Sequence, residues 1–179
     1  MGVKYATAAA IMARVVQEYG GRESMWGRLR DKFTGTRYPD RGVTPVPTPE
    51  LRAVLLGLGR SGVPFRVREA LPGEKADLVA EWRVPELRTT LRTRMRFVPG
   101  EREVRVLEER WAPASEGTGR QYGRGPAVSV SRRWTYEKGP DGRRRKVETF
   151  RFDSRDMRNP LLNAVLGAGW TWRGVLFRW

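Results

Sequence analysis

Apolar and polar residues alternate with a period of two through the middle of the chain. The alternation runs through residues 76–84 and again through residues 91–97, where arginines separate Leu91 from Met95 and Met95 from Phe97. Successive side chains of a β-strand point to opposite faces of a sheet. The pattern therefore predicts two strands that each bury one face.

Burial of one face also fixes how the strand at 91–97 pairs with the strand that follows it. A loop over residues 99–102 places Phe97 opposite Val104, whereas a loop shorter by one residue places it opposite Glu103. We predict the first register because it keeps the apolar side chains on one face. The residues predicted to be buried are Leu91, Met95, Phe97, Val104 and Val106. The opposite face pairs Arg96 with Arg105 and Arg92 with Glu109, and Arg92, Arg94 and Arg96 are predicted to be exposed.

A second hairpin is predicted in the C-terminal third of the chain. Residues 128–136 and 147–152 are its strands, and the sequence Gly-Pro-Asp-Gly at 139–142 is its turn. Residues 112–127 are rich in Gly, Pro and Ser and predict a loop. The aromatic end of the chain, residues 170–179, is interpreted as a final strand or a docked segment.

Apolar residues at helical spacing predict helices near both ends of the chain. Residues 3–19 and 24–33 form two N-terminal helices in this interpretation. A C-terminal helix contains residues 161–166, with Ser154 or Asn159 as its N-cap.

A further helix is predicted to begin at Thr48, with Thr48 as N-cap and a proline in the first turn. Gly57, Gly59 and Gly62 follow it with the spacing of a dinucleotide-binding turn. That turn requires a strand before the glycines and a helix after them. Because the order is reversed here, we interpret the glycines as a helix end that binds no nucleotide.

Residues 34–48 contain prolines and glycines without apolar periodicity, which predicts a connector. We predict an N-terminal helical arm with its connector at 1–47, removable without unfolding the rest, and a core domain at 48–179. The predicted fold class is α+β. It consists of an antiparallel sheet of about six strands with a packed helix, a C-terminal helix and the N-terminal helical arm.

The chain contains no histidine and no cysteine. Zinc sites and the usual Ser-His-Asp and Cys-His arrangements need residues that are therefore missing. Glu108 and Glu109 are neighbours on a strand and point to opposite faces, so they cannot act as a catalytic pair. We predict a non-catalytic protein without cofactor or metal. No apolar run approaches the length of a membrane span, and a cytoplasmic protein is the simpler interpretation.

The 35 Lys and Arg residues exceed the 20 Asp and Glu residues and give a net charge of +15. Two clusters could bind a polyanion, one on the sheet and one on the second hairpin. For the sheet cluster we favour a solvated face that is partly paired with acids. On the hairpin, Trp134 and Tyr136 could stack on bases, but we favour them as core residues. The nucleic-acid-binding candidates are Arg92, Arg94, Arg96, Arg105, Arg132, Arg133, Arg143, Arg144, Arg145 and Lys146.

The charge favours a protein whose basic surface binds a polyanion, with DNA or RNA as the leading candidate. The alternative is a structural or assembly protein whose helical arm and aromatic C-terminus dock on an acidic protein partner. A third class is a peripheral protein that contacts anionic membranes. A contiguous basic face favours a polyanion, whereas an exposed apolar patch favours assembly.

Overall fold

The alternating segments form a six-stranded sheet in the computed structural model, with a separate two-stranded sheet beside it. The structure describes residues 31–114, 119–126, 128–141 and 143–176. The predicted helix at 3–19 lies outside the described residues, as does most of the one at 24–33, of which a helical turn at 31–34 is seen. The fold is α+β, as predicted.

The elements are numbered in chain order over the described residues. The helices are α1 (Thr48–Leu58) and α2 (Arg155–Gly167). The large sheet has the antiparallel order β1 (Arg66–Glu69), β2 (Leu78–Val84), β3 (Thr89–Val98), β4 (Glu103–Pro113) and β5 (Arg120–Arg124). The small sheet consists of β6 (Val130–Lys138) and β7 (Arg144–Asp153), and β8 (Thr171–Gly174) pairs with β4 in parallel. No helix in the described part of the chain is both long and apolar enough to cross a membrane.

The predicted register of the β3–β4 hairpin is confirmed. Phe97 pairs with Val104 and Met95 with Val106, and these side chains are buried together with Leu91. The prediction of three exposed arginines is only partly right. Arg96 is exposed, but Arg92 and Arg94 are half-buried because acidic side chains on neighbouring strands pair with them.

The core lies between one face of the large sheet and the two helices. Leu51 and Leu55 of α1 and Leu161 and Val165 of α2 are fully buried there. This burial follows from the helical spacing of apolar residues, which gives each helix one apolar stripe. The aromatic C-terminal segment enters the same core through Trp172, also fully buried.

Helix α1 begins and ends close to the predicted positions. Pro47 is the N-cap rather than Thr48, because the Pro47 carbonyl already accepts the backbone N–H groups of Glu50 and Leu51 at 3.0 and 3.2 Å. Gly59 is the C-cap, and a strand follows it as predicted. An ideal Cβ on Gly59 would lie 2.9 Å from the backbone nitrogen of Val67, so the close approach of β1 favours glycine here.

The connector before α1 packs against the C-terminal segment. Arg37 and Trp172 exchange backbone hydrogen bonds of 2.8 and 2.9 Å, and the Trp170 indole N–H donates to the Val46 carbonyl at 2.9 Å. Thr36 between them is buried. These contacts join the connector to the sheet edge at β8, whereas the predicted domain boundary at residue 47 stays a prediction.

Candidate nucleic-acid interface

The hairpin of β6 and β7 is anchored at its base and exposed along the rest of its length. Phe152 at the base is buried, and its ring centroid lies 5.0 Å from that of Trp82. Further out, every residue from Arg132 to Lys138 and from Arg143 to Lys146 is exposed. The outer part of the hairpin is thus a two-stranded ribbon with both faces open.

The pairing of the two strands places most basic and aromatic side chains on one face. Arg132 pairs with Arg151, Trp134 with Glu148, Tyr136 with Lys146, and Lys138 with Arg144. The register shifts between Arg133 and Trp134, so that Thr149 is left as an extra residue on β7. This is a β-bulge, in which one strand has an additional residue and bends locally. We call this the basic–aromatic face, and it consists of Arg132, Trp134, Tyr136, Lys138, Arg144, Lys146, Glu148 and Arg151.

The interpretation of Trp134 and Tyr136 as core residues is wrong. Their exposed fractions are 44% and 68%. The reason is that no described element packs over the outer half of the hairpin, so neither face is covered. Trp134 is held in place instead by Lys146, whose Nζ lies 4.6 Å from the indole centroid in a cation–π contact.

Three predicted site residues of the hairpin lie off this face. Arg133 points to the other side, where it donates to the Glu86 carbonyl at 3.0 Å. Arg145 forms an ion pair of 3.0 Å with Asp141, and this hydrogen bond holds the pKa of Asp141 below its usual value. The backbone N–H of Arg143 donates to the same carboxylate at 3.2 Å, which tightens the turn.

The sheet cluster of Arg92, Arg94, Arg96 and Arg105 is largely occupied by internal partners. Arg94 forms a bidentate pair with buried Glu109, with both N···O distances 2.8 Å. Arg105 donates to Glu103 at 2.8 Å. Arg92 lies 3.6 Å from Glu81, and its guanidinium covers the ring of Trp111 at 5.1 Å.

The register explains this pairing, because it aligns opposite charges across five strands. A row that crosses the outer face of the sheet reads Arg66, Glu81, Arg92, Glu109, Arg124. Opposite charges that face each other on neighbouring strands stabilise a sheet. This geometry supports the paired, solvated face that we favoured for the sheet cluster.

Two residues of the basic–aromatic face, Lys138 and Arg151, were not predicted from the sequence. The predicted turn at 139–142 would pair Lys138 with Arg143, one residue short of the observed pairing of Lys138 with Arg144. Arg151 lies beyond the bulge at Thr149, and an uninterrupted register would have placed it on the opposite face.

Similarity to known proteins does not assign the interface. No protein-family model, curated protein or solved structure matches the chain. The functional interpretation therefore depends on the geometry of the hairpin.

Proposed function

We propose that the protein is a non-catalytic binding protein that holds nucleic acid on its basic–aromatic face. The observation that carries the proposal is the exposure of Trp134 and Tyr136 among basic side chains on an open two-stranded ribbon. Exposed aromatic rings at this spacing offer stacking surfaces for bases, and the cations beside them attract phosphates.

The charge of the face is suited to a polyanion. It carries five cations and one acid, Glu148, and none of the five cations forms an ion pair with any residue that the structure describes. They are therefore available to an external anion, unlike the paired arginines of the large sheet. From Arg132 to Lys138 the ribbon extends about 20 Å, enough to follow several phosphates. A two-stranded ribbon also has the width that the major groove of a duplex admits.

The hairpin turn favours nucleic acid over a membrane surface. A membrane-inserting tip needs apolar side chains at its end, but Gly139, Pro140 and Asp141 occupy the described part of this turn. An acidic protein would share the charge requirement but would not need two unburied rings. A cytoplasmic location is part of the proposal.

The test compares two double variants that remove the same charge from the same hairpin. Arg144→Gln with Lys146→Gln neutralises the basic–aromatic face, and Arg143→Gln with Arg145→Gln neutralises residues that lie off it. We expect the first pair to weaken binding to duplex DNA and to flatten the log–log salt dependence by about 1.8, since each lost phosphate contact removes about 0.9. The second pair should change both quantities little. Fluorescence anisotropy between about 50 and 200 mM salt measures them.

A third variant, Trp134→Ala with Tyr136→Ala, isolates stacking from charge. It should weaken binding to single-stranded DNA or RNA by about 1–3 kcal/mol per stacked base and leave the salt slope unchanged. If the two double variants weaken binding equally, the basic–aromatic face is not the nucleic-acid-binding site. If the wild-type protein binds anionic vesicles or an acidic protein but neither DNA nor RNA, the nucleic-acid proposal is wrong.

A further inference from the structure

A cleft of about 410 Å³ opens between β3–β5, α2 and the connector, and no residue of the basic–aromatic face lines it. Its volume lies within the range of sites that bind small molecules. Its lining includes Leu91, Thr93, Glu108, Arg110, Gly123 and Met157.

One charged pair inside the cleft is internally satisfied. Glu108 forms an ion pair with Arg158 of α2 at 3.2 Å, and Arg158 also donates to the Gly35 carbonyl at 2.9 Å. Burial raises the pKa of Glu108, and Arg158 offsets this only in part. Glu108 therefore contributes little free negative charge to the cleft.

Two other polar groups that line the cleft lack internal partners. Thr93 is only 1% exposed, yet its hydroxyl has no hydrogen-bond partner among the described residues. Arg110 is half-buried and forms no ion pair or hydrogen bond of its side chain with that part of the chain. A buried polar group without a partner, such as the Thr93 hydroxyl, is costly and uncommon in folded proteins. It lines the same cleft as the unpaired, half-buried Arg110, and the two together point to an external partner.

The charge and the walls of the cleft define the chemistry of that partner. Lys32 and Arg37 at the rim add positive charge to that of Arg110, while Glu108 is already paired. Leu91 and Met157 are buried apolar residues and supply a wall for an apolar group.

We infer that this cleft binds a small organic anion, with its carboxylate or phosphate head on Arg110 and Thr93 and its apolar body against Leu91 and Met157. The inference is independent of nucleic-acid binding by the hairpin. Gly123 faces Arg110 across the β4–β5 pair, and an ideal Cβ there would meet no atom within 4 Å. The chain thus leaves open space at position 123, directly across from the strand position of Arg110.

Isothermal titration calorimetry with three compounds that share a phenyl ring tests the inference. Benzoate and phenyl phosphate are the anions, and benzamide is the neutral control. We expect at least one anion to bind and benzamide not to bind. Arg110→Gln should weaken anion binding by roughly tenfold or more, because it removes a charge-assisted hydrogen bond. Gly123→Leu should abolish binding by filling the cleft. Arg96→Gln, an exposed arginine on the opposite face of the sheet, should have no effect.

Circular dichroism and thermal unfolding establish that each variant is folded before it is titrated. If Gly123→Leu does not fold, the comparison of anion binding between Arg110→Gln and Arg96→Gln is sufficient to test the inference. The inference is overturned if neither anion binds up to about 10 mM, if benzamide binds as well as benzoate, or if Arg96→Gln and Arg110→Gln weaken binding equally. A preference between benzoate and phenyl phosphate identifies the head group.

Discussion

Replacing Gly174 by alanine is expected to lower the melting temperature by roughly 8–16 °C, which corresponds to about 4 kcal/mol in a chain of this size. An ideal Cβ at position 174 would lie 1.7 Å from the carbonyl oxygen of Thr34, far inside van der Waals contact. Neither side can withdraw easily. Strand β8 is held by β4 through pairs such as Val104 with Trp172, and on its other side Trp172 bonds to Arg37 of the connector.

Gly123→Ala is the matched control, because position 123 also lies in a strand but has open space around it. We expect its melting temperature to change little. If Gly174→Ala unfolds at nearly the wild-type melting temperature, the connector does not pack closely against β8 at position 174. A chain that lacks residues 1–47 tests the predicted boundary, because it should fold if the boundary is correct. In that shortened chain Thr34 is absent, so Gly174→Ala should lower the melting temperature much less than in the full chain.

The β3–β4 hairpin could be predicted to the residue, because a buried face and a short loop leave one acceptable register. Phe97 can only oppose Val104 if both are to be buried, and the structure pairs them. The parallel pairing of β8 with β4 could not be predicted in this way. It joins residues about seventy positions apart, and local alternation carries no information about such a partner.

Composition was a poor guide to packing in two places. The prolines and glycines of the connector correctly indicate a segment without regular structure, but they do not reveal that Thr36 is buried. Conversely, Trp134 has the character of a core residue, and only the absence of a covering element among the described residues leaves it exposed. In both cases burial depends on whether another element packs over the residue, and the local sequence does not contain that information.

The candidate sites show the same difference between features set by local sequence and features set by the packing of distant elements. Glu108 and Glu109 were predicted to point to opposite faces, and they do, since Glu108 pairs with Arg158 and Glu109 with Arg94. The cleft itself could not be predicted, because it forms only where α2 and the connector meet the edge of the sheet.

Glu103→Gln is expected to destabilise the protein by about 3 kcal/mol at neutral pH, because it removes the carboxylate that two arginines share. Glu103 has a side chain only 3% exposed, accepts a hydrogen bond from Arg105 at 2.8 Å, and accepts another from Arg173 of β8. The neutral amide leaves both guanidinium groups without their buried counter-charge. Urea unfolding measures the loss. Glu69→Gln is the control, since Glu69 and its partner Arg52 are exposed and such pairs contribute about 0–1 kcal/mol.

The pH dependence separates the charge of Glu103 from its shape. Burial alone would raise the pKa of Glu103, but the hydrogen bonds from Arg173 and Arg105 outweigh it and hold the pKa below its usual value. A carboxyl whose pKa is lower in the folded state stabilises the protein above its unfolded pKa, about 4.3. That contribution disappears as the pH falls through the folded pKa. The difference between wild type and Glu103→Gln should therefore narrow below about pH 4. A difference that stays constant from neutral to acidic pH would show that packing, not charge, makes Glu103 important.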